Sequence, residues 1–218
     1  MHIPDGFISM PINVGAAVVS ASACAAALAR TRATMGEKQV PLVGLTSSFI
    51  FAAQMLNFPV AMGTSGHFLG ALLAAALLGP LESCLILAVV LAIQCLFFAD
   101  GGLLVLGTNV LNMGVVGGMG GWLVLVGLRA ILPRGRSAFL GAVAVASWAS
   151  VMLAAAACSA ELVFSGVEPA SHVFSAMLGV HALIGIGEGL ITTTAVAMVL
   201  ASRPDLVAQA PRLAGASS

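Results

Sequence analysis

Charge is scarce in this chain of 218 residues: eight Lys and Arg stand against eight Asp and Glu, 7% of the total, and the formal net charge is zero. A soluble domain carries about 25% charged residues, so these few cannot solvate a surface of the usual kind. Zero net charge also excludes the basic footprint of a nucleic-acid partner. The four cysteines, Cys24, Cys84, Cys95 and Cys158, form no CxxC pair and all lie in apolar stretches. They read as small buried apolar side chains rather than disulfide partners or metal ligands. No P-loop occurs, and the "GGMGG" run at 117–121 lacks the Lys that would reach a phosphate. The chain therefore offers no ATP site. Its opening, "MHIPDGFISMP", lacks the basic start, apolar core and small-residue cleavage site of a secretory signal. Met1 and His2 are thus expected to persist in the mature protein, the former with a free amine.

What is abundant is apolar. Sixty per cent of residues are hydrophobic and mean hydropathy is +1.11, which predicts an all-α integral membrane protein. Apolar segments fall near 9–29, 41–57, 64–79, 82–99, 103–131, 137–164 and 174–201, separated by Gly-, Pro- and charge-containing breaks. Seven transmembrane helices are expected, in one domain over 1–202 with a short cytoplasmic tail over 203–218. With the N-terminus outside, seven crossings place Arg30, Arg32, Lys38, Arg129, Arg134, Arg136, Arg203 and Arg212 all on the cytoplasmic side, as the positive-inside rule prefers.

That topology gathers polar residues at the outer face. Met1, His2 and Asp5 lie there, with Ser65 and His67 at the outer end of the third segment, Asn109 and Asn112 early in the fifth, and His181 in the outer part of the seventh. Polar side chains in hydrocarbon are costly and face a bundle interior or a cavity, so an outward-opening polar pocket is predicted. A free amine followed by His is a compact chelator. The amine, the His2 amide nitrogen and the His2 imidazole can close two fused rings on one metal, and His67 is the best fourth nitrogen. Such a square plane favours Ni(II) or Cu(II) over tetrahedral Zn(II). Amide deprotonation would cancel one of the ion's two charges.

The other polar residues have plainer readings beside this one. Asp5 can pin the N-terminal loop as a turn residue, and Asn109 and Asn112 can hold loops by hydrogen bonds. His181 reads as a packing or supporting histidine. Glu188 lies one heptad after His181, on the same helical face, and could serve metal passage or lock its helix to a neighbour. Ser65 with His67 or His181 superficially suggests an intramembrane hydrolase, but no acidic orienter is apparent. A stand-alone secondary permease would more often show internal repeats, and no convincing repeat relates the two halves.

Four stretches carry a resemblance: "MHIPDGF", "GTSGHFLGALL" at 63–73, "LNMGVVG" at 111–117 and "GVHALIGIGEGLIT" at 179–192. Together they resemble the CbiM/NikM family, the substrate-binding membrane subunits (S components) of energy-coupling-factor transporters for nickel and cobalt. The resemblance runs from residue 1 to about 201. It implies an extra N-terminal helix on a six-helix S-component core, in a bacterial or archaeal cytoplasmic membrane. It implies metal held by the amine of Met1, the backbone nitrogen and imidazole of His2, and His67. It also implies a transmembrane coupling subunit, a pair of cytoplasmic ATPases and a small accessory membrane subunit as partners. The "MHIPDG" form resembles nickel-type members, whereas cobalt-type members more often read "MHIMEG", so Ni(II) is the expected cargo, with Co(II) next.

Overall fold

The computed structural model describes residues 1–60 and 63–208. A helix named α1 runs from Met10 to Thr34, opened by Pro11 in its first turn, where a missing N–H costs nothing. Its buried residues, Ala16, Ser20, Ala27 and Thr31, recur at spacings of four and seven. One narrow face therefore meets the bundle and the rest is open. After a 3₁₀ turn at Glu37–Gln39, α2 spans Val40–Gln54. A two-residue hairpin follows, β1 (Phe58–Pro59) against β2 (Ser65–Gly66), antiparallel with Phe58 opposite Gly66. The remaining helices are α3 (Ala71–Leu78), α4 (Pro80–Phe98), α5 (Leu106–Ile131), α6 (Arg136–Phe164) and α7 (Ala170–Ser202).

Five of these, α1, α4, α5, α6 and α7, are long and apolar enough to cross a membrane, and α2 is a shorter apolar helix. The chain is a multi-pass membrane protein. The segment expected at 64–79 takes a different form. Only Ala71–Leu78 is helical, about 12 Å at 1.5 Å per residue, against about 30 Å of hydrocarbon. Gly70 at φ +74° starts this helix and Gly79 at φ +116° ends it, conformations that glycine adopts freely. All eight α3 residues are buried. Irregular backbone beside them is thus shielded by protein, the condition under which it is tolerated at membrane depth.

Small residues bring the long helices together. A Cβ on Gly107 of α5 would stand 2.6 Å from the Cα of Ala17 in α1, and one on Gly189 of α7 would stand 3.2 Å from the Ala144 carbonyl in α6. The middle of α5, Leu111–Gly120, is wound as a π-helix, a form that often marks functional sites. Beyond α7, a 3₁₀ turn at Pro204–Leu206 leads to Val207, which is buried. The expected tail therefore begins by folding back beside Leu42, Leu77 and Leu78. Its last residues, 209–218 with Arg212, lie outside the described residues. All four cysteines are free, and Cys24 and Cys84 approach with sulfurs 3.9 Å apart.

Candidate metal centre

The N-terminal loop does not hang from the bundle; it plugs it. Met1 and Ile3 are fully buried and His2 is 3% exposed. Asn109 clamps Ile3 on both sides: its Oδ1 accepts the Ile3 N–H at 2.9 Å and its Nδ2 donates to the Ile3 carbonyl at 3.1 Å. The Gly102 N–H donates to that same carbonyl at 2.9 Å. Asp5 accepts the N–H groups of Leu104 and Val105 at 2.9 and 3.3 Å, just ahead of α5. A carboxylate there suits the positive end of the helix dipole. Gly102 makes this approach possible, because a Cβ there would collide with the Asp5 backbone nitrogen and Oδ1. Gly102→Ala is expected to loosen the loop by about 1–3 kcal/mol, the range for overpacking. Faster amide exchange at His2, Ile3 and Asp5 checks it, and unchanged exchange would contradict it.

His67 follows β2, and its Nδ1–H donates to the Phe68 carbonyl at 2.7 Å. A carbonyl only accepts, so Nε2 is left with its lone pair. It faces the Met1 amine at 2.7 Å. The segment behind it is anchored from two helices. Glu188 of α7 accepts the N–H groups of Leu69 and Gly70 at 2.7 and 2.8 Å, and Gln54 of α2 donates to the Leu69 carbonyl at 2.7 Å. The structure thus gives Glu188 a locking role, with both oxygens engaged by main chain. Glu188→Ala would leave two buried N–H groups unpaired, a cost of about 2–6 kcal/mol at about 1–3 each. Glu188→Gln keeps one acceptor and is expected to lose about half of that. Thermal melting of the purified protein separates the three, and identical melting would refute the lock.

The His2 and His67 rings lie beside each other, centroids 4.7 Å apart and tilted by 41°. The His2 backbone N–H points to Ser65 Oγ at 3.4 Å. Burial lowers the proton affinity of both N-terminal bases. The Met1 amine is pulled below its ordinary value by desolvation. His2 is lowered by desolvation and then by the amine. Neutral nitrogens converging in a dry site are what a transition metal needs from its ligands. Among the described residues no three His, Cys, Asp or Glu side chains form a ligand cluster.

The remaining expected residues divide. Asp5, Ser65, Asn109 and Glu188 all meet the N-terminal loop or the His67 segment. Asn112 does not; its Nδ2 donates to Glu161 of α6 at 2.6 Å. His181 is fully buried, with Nδ1 on the Met177 carbonyl at 2.8 Å and no hydrogen-bond partner on Nε2. Both His67 nitrogens are engaged, on the Met1 amine and the Phe68 carbonyl, so His67 is not free to act as a base for Ser65. The seven-crossing topology also puts Gln54 and Asp100 among the polar residues of the outer face, without giving either a role, whereas Glu161 carried no such signal.

A multi-pass helical membrane protein with a nitrogen-lined site sealed beneath its own N-terminus is the class defined here. The chain belongs to the CbiM family, described as the cobalt uptake substrate-specific transmembrane region, which it matches over residues 2–206. A protein of Archaeoglobus fulgidus, named as a candidate fused nickel transport protein NikMN, is 42% identical over 218 residues, spanning 96% of this chain and 68% of that one. The cobalt transport protein CbiM of Sorangium cellulosum is 32% identical over 228 residues, covering all of both chains. The crystal structure of a truncated transition metal transporter matches with a TM-score of 0.85 at 28% identity, over 92% of this chain and 99% of that one. The family is one of nickel and cobalt transport proteins.

Proposed function

We propose that this chain is the substrate-capture subunit of an energy-coupling-factor uptake transporter, and that its cargo is Ni(II), with Co(II) as the second ion. The observation that carries this reading is the buried Met1 amine, 2.7 Å from the unprotonated Nε2 of His67. The ligands are the Met1 amine, the His2 amide nitrogen and imidazole Nδ1, and His67 Nε2. With metal–nitrogen bonds of about 2 Å, neighbouring corners of a square plane lie about 2.8 Å apart, whereas those of a tetrahedron lie about 3.3 Å apart. The amine and Nε2 already stand at the square-planar spacing. A metal replacing their shared proton needs little movement, and that supports nickel.

The ion arrives from outside, where the N-terminus lies, and the eight basic residues mark the cytoplasmic face. The bundle over 1–202 crosses the membrane seven times if α2 and the hairpin-plus-α3 segment are each counted with the five long helices. Residues 203–218 form the cytoplasmic tail. Energy comes from partner ATPases through a transmembrane coupling subunit; a small accessory membrane subunit completes the assembly. Fused relatives named NikMN fit a second membrane part joined to this one. Release inward follows loss of order in the N-terminal loop, an order–disorder switch in a bacterial or archaeal cytoplasmic membrane.

Titration of the purified protein with Ni(II) and, separately, Co(II) tests the reading. One Ni(II) per chain with a square-planar, diamagnetic spectrum is expected, bound more tightly than Co(II). Failure to bind either ion, or a tetrahedral spectrum, would overturn it.

A further inference from the structure

We propose that Asp100 is a positioning residue for His2 and the countercharge that lets a divalent ion rest in this buried site. The inference rests on the amine–His2–His67 reading above and adds a residue to it. In the fused-ring chelate, the ring closed from the His2 amide nitrogen reaches the imidazole through Cβ and Cγ, so Nδ1 is the atom that binds. Nε2 must then carry the imidazole proton, because one nitrogen of a neutral imidazole is a donor and the other an acceptor. A buried donor needs an acceptor. In the structure His2 Nε2 is buried without a hydrogen-bond partner, and Asp100 Oδ2 stands 3.7 Å from it. A shift of under 1 Å closes that gap to a charge-assisted hydrogen bond of about 2.8 Å.

Asp100 is built into place. Its Oδ2 accepts from Asn57 Nδ2 at 2.8 Å, which ties it to the chain entering the hairpin that carries Ser65 and leads to His67. Its backbone N–H donates to the Gln94 carbonyl at 3.1 Å, and Ala99 before it takes a left-handed conformation at φ +54°. Gly101 after it leaves the His2 ring room: a Cβ there would stand 3.1 Å from His2 Nδ1 and 3.2 Å from Asn109 Nδ2. The Asp100 side chain is 14% exposed, so it sits at the edge of the site rather than inside it.

The charges also close. The ion brings +2, the deprotonated His2 amide −1 and Asp100 −1, while the amine and both imidazoles bind as neutral groups. A neutral cluster is the least costly form in a low-dielectric site. Hydrogen bonding of a ligand histidine to a carboxylate also fixes its tautomer and raises its basicity.

Nickel titration of the full-length purified protein and its variants tests the role. Asp100→Asn is expected to weaken Ni(II) by about 10–100-fold, the usual cost of removing such a partner. One ion per chain should still bind, with the visible ligand-field band displaced as the His2 nitrogen becomes a weaker donor. Asp100→Glu, which restores the charge, is expected to recover part of the affinity. Asn57→Ala keeps the carboxylate and loses only its fastening, so it should cost less than Asp100→Asn. Wild-type affinity in Asp100→Asn would overturn the proposal, as would Asn57→Ala costing as much with the band unmoved, since Asp100 would then only fasten a loop. Nickel bound equally well by His67→Ala would overturn the proposal together with the site it rests on. Loss in His67→Ala beside full affinity in Asp100→Asn would overturn Asp100 alone.

Discussion

A version of the protein with its Met1 amine acetylated is expected to bind no nickel at concentrations that saturate the original chain. Acetylation acts twice. It converts the basic amine into an amide and leaves no amine to anchor the ion, so the neighbouring amides keep their protons at neutral pH. It also demands space where there is none, because Met1 is fully buried and its nitrogen already touches His67. Tight structural metal sites release about 10–16 kcal/mol from four ligands, or about 3 kcal/mol each, so one lost ligand alone costs more than about a hundredfold. Loss of the amine also opens the first chelate ring and removes the anchor for His2. A glycine placed ahead of Met1 is not equivalent, because the Gly-Met-His start it creates offers a new amine, two amides and an imidazole that can close three fused rings on one nickel ion. Saturation of the acetylated protein by nickel at the original concentration would mean that the amine is not a ligand.

His67→Ala is the second change with a large expected effect, a loss of about a hundredfold or more in nickel affinity by the same reckoning. It differs from acetylation in what survives. The Met1 amine and His2 remain, so a three-nitrogen chelate can still take an ion, with water in the fourth position and a weaker ligand field. The N-terminal loop keeps its clamp, because Asn109, Gly102 and Asp5 hold it without His67. Metal-free folding should lose only the two hydrogen bonds of His67, about 2–6 kcal/mol at about 1–3 each, while affinity collapses. Nickel affinity within about twofold of the original would remove His67 from the ligand set, and a collapse in metal-free melting would make it a structural residue instead.

Much of this was legible along the chain because local chemistry was enough. Apolar runs mark α1, α4, α5, α6 and α7 without reference to any neighbour. The Met-His start shows its chelating potential in two adjacent residues, and the resemblance of "GTSGH" brought His67 beside it. The third apolar run misled for a physical reason. Hydropathy counts residues and not geometry, and the run 64–79 is apolar because α3 is buried in protein, not because it spans as a full helix. Asn112 misled in a similar way: it is polar and three residues from Asn109, but its partner, Glu161, is supplied by a helix 49 positions away.

The sequence by itself determined that this chain lives in a membrane, that its charge is sparse, and that a methionine and a histidine, two residues able to chelate, stand first. Composition and adjacency are properties of the chain, and folding cannot alter them. Only the tertiary structure decided that the N-terminus turns inward and is sealed. Only it aimed the His67 lone pair at the Met1 amine and set Glu188 on the amides behind His67 and Asp100 beside His2. Those facts depend on distances between residues 66, 119 and 98 positions apart, set by the packing of whole helices and not by any local pattern.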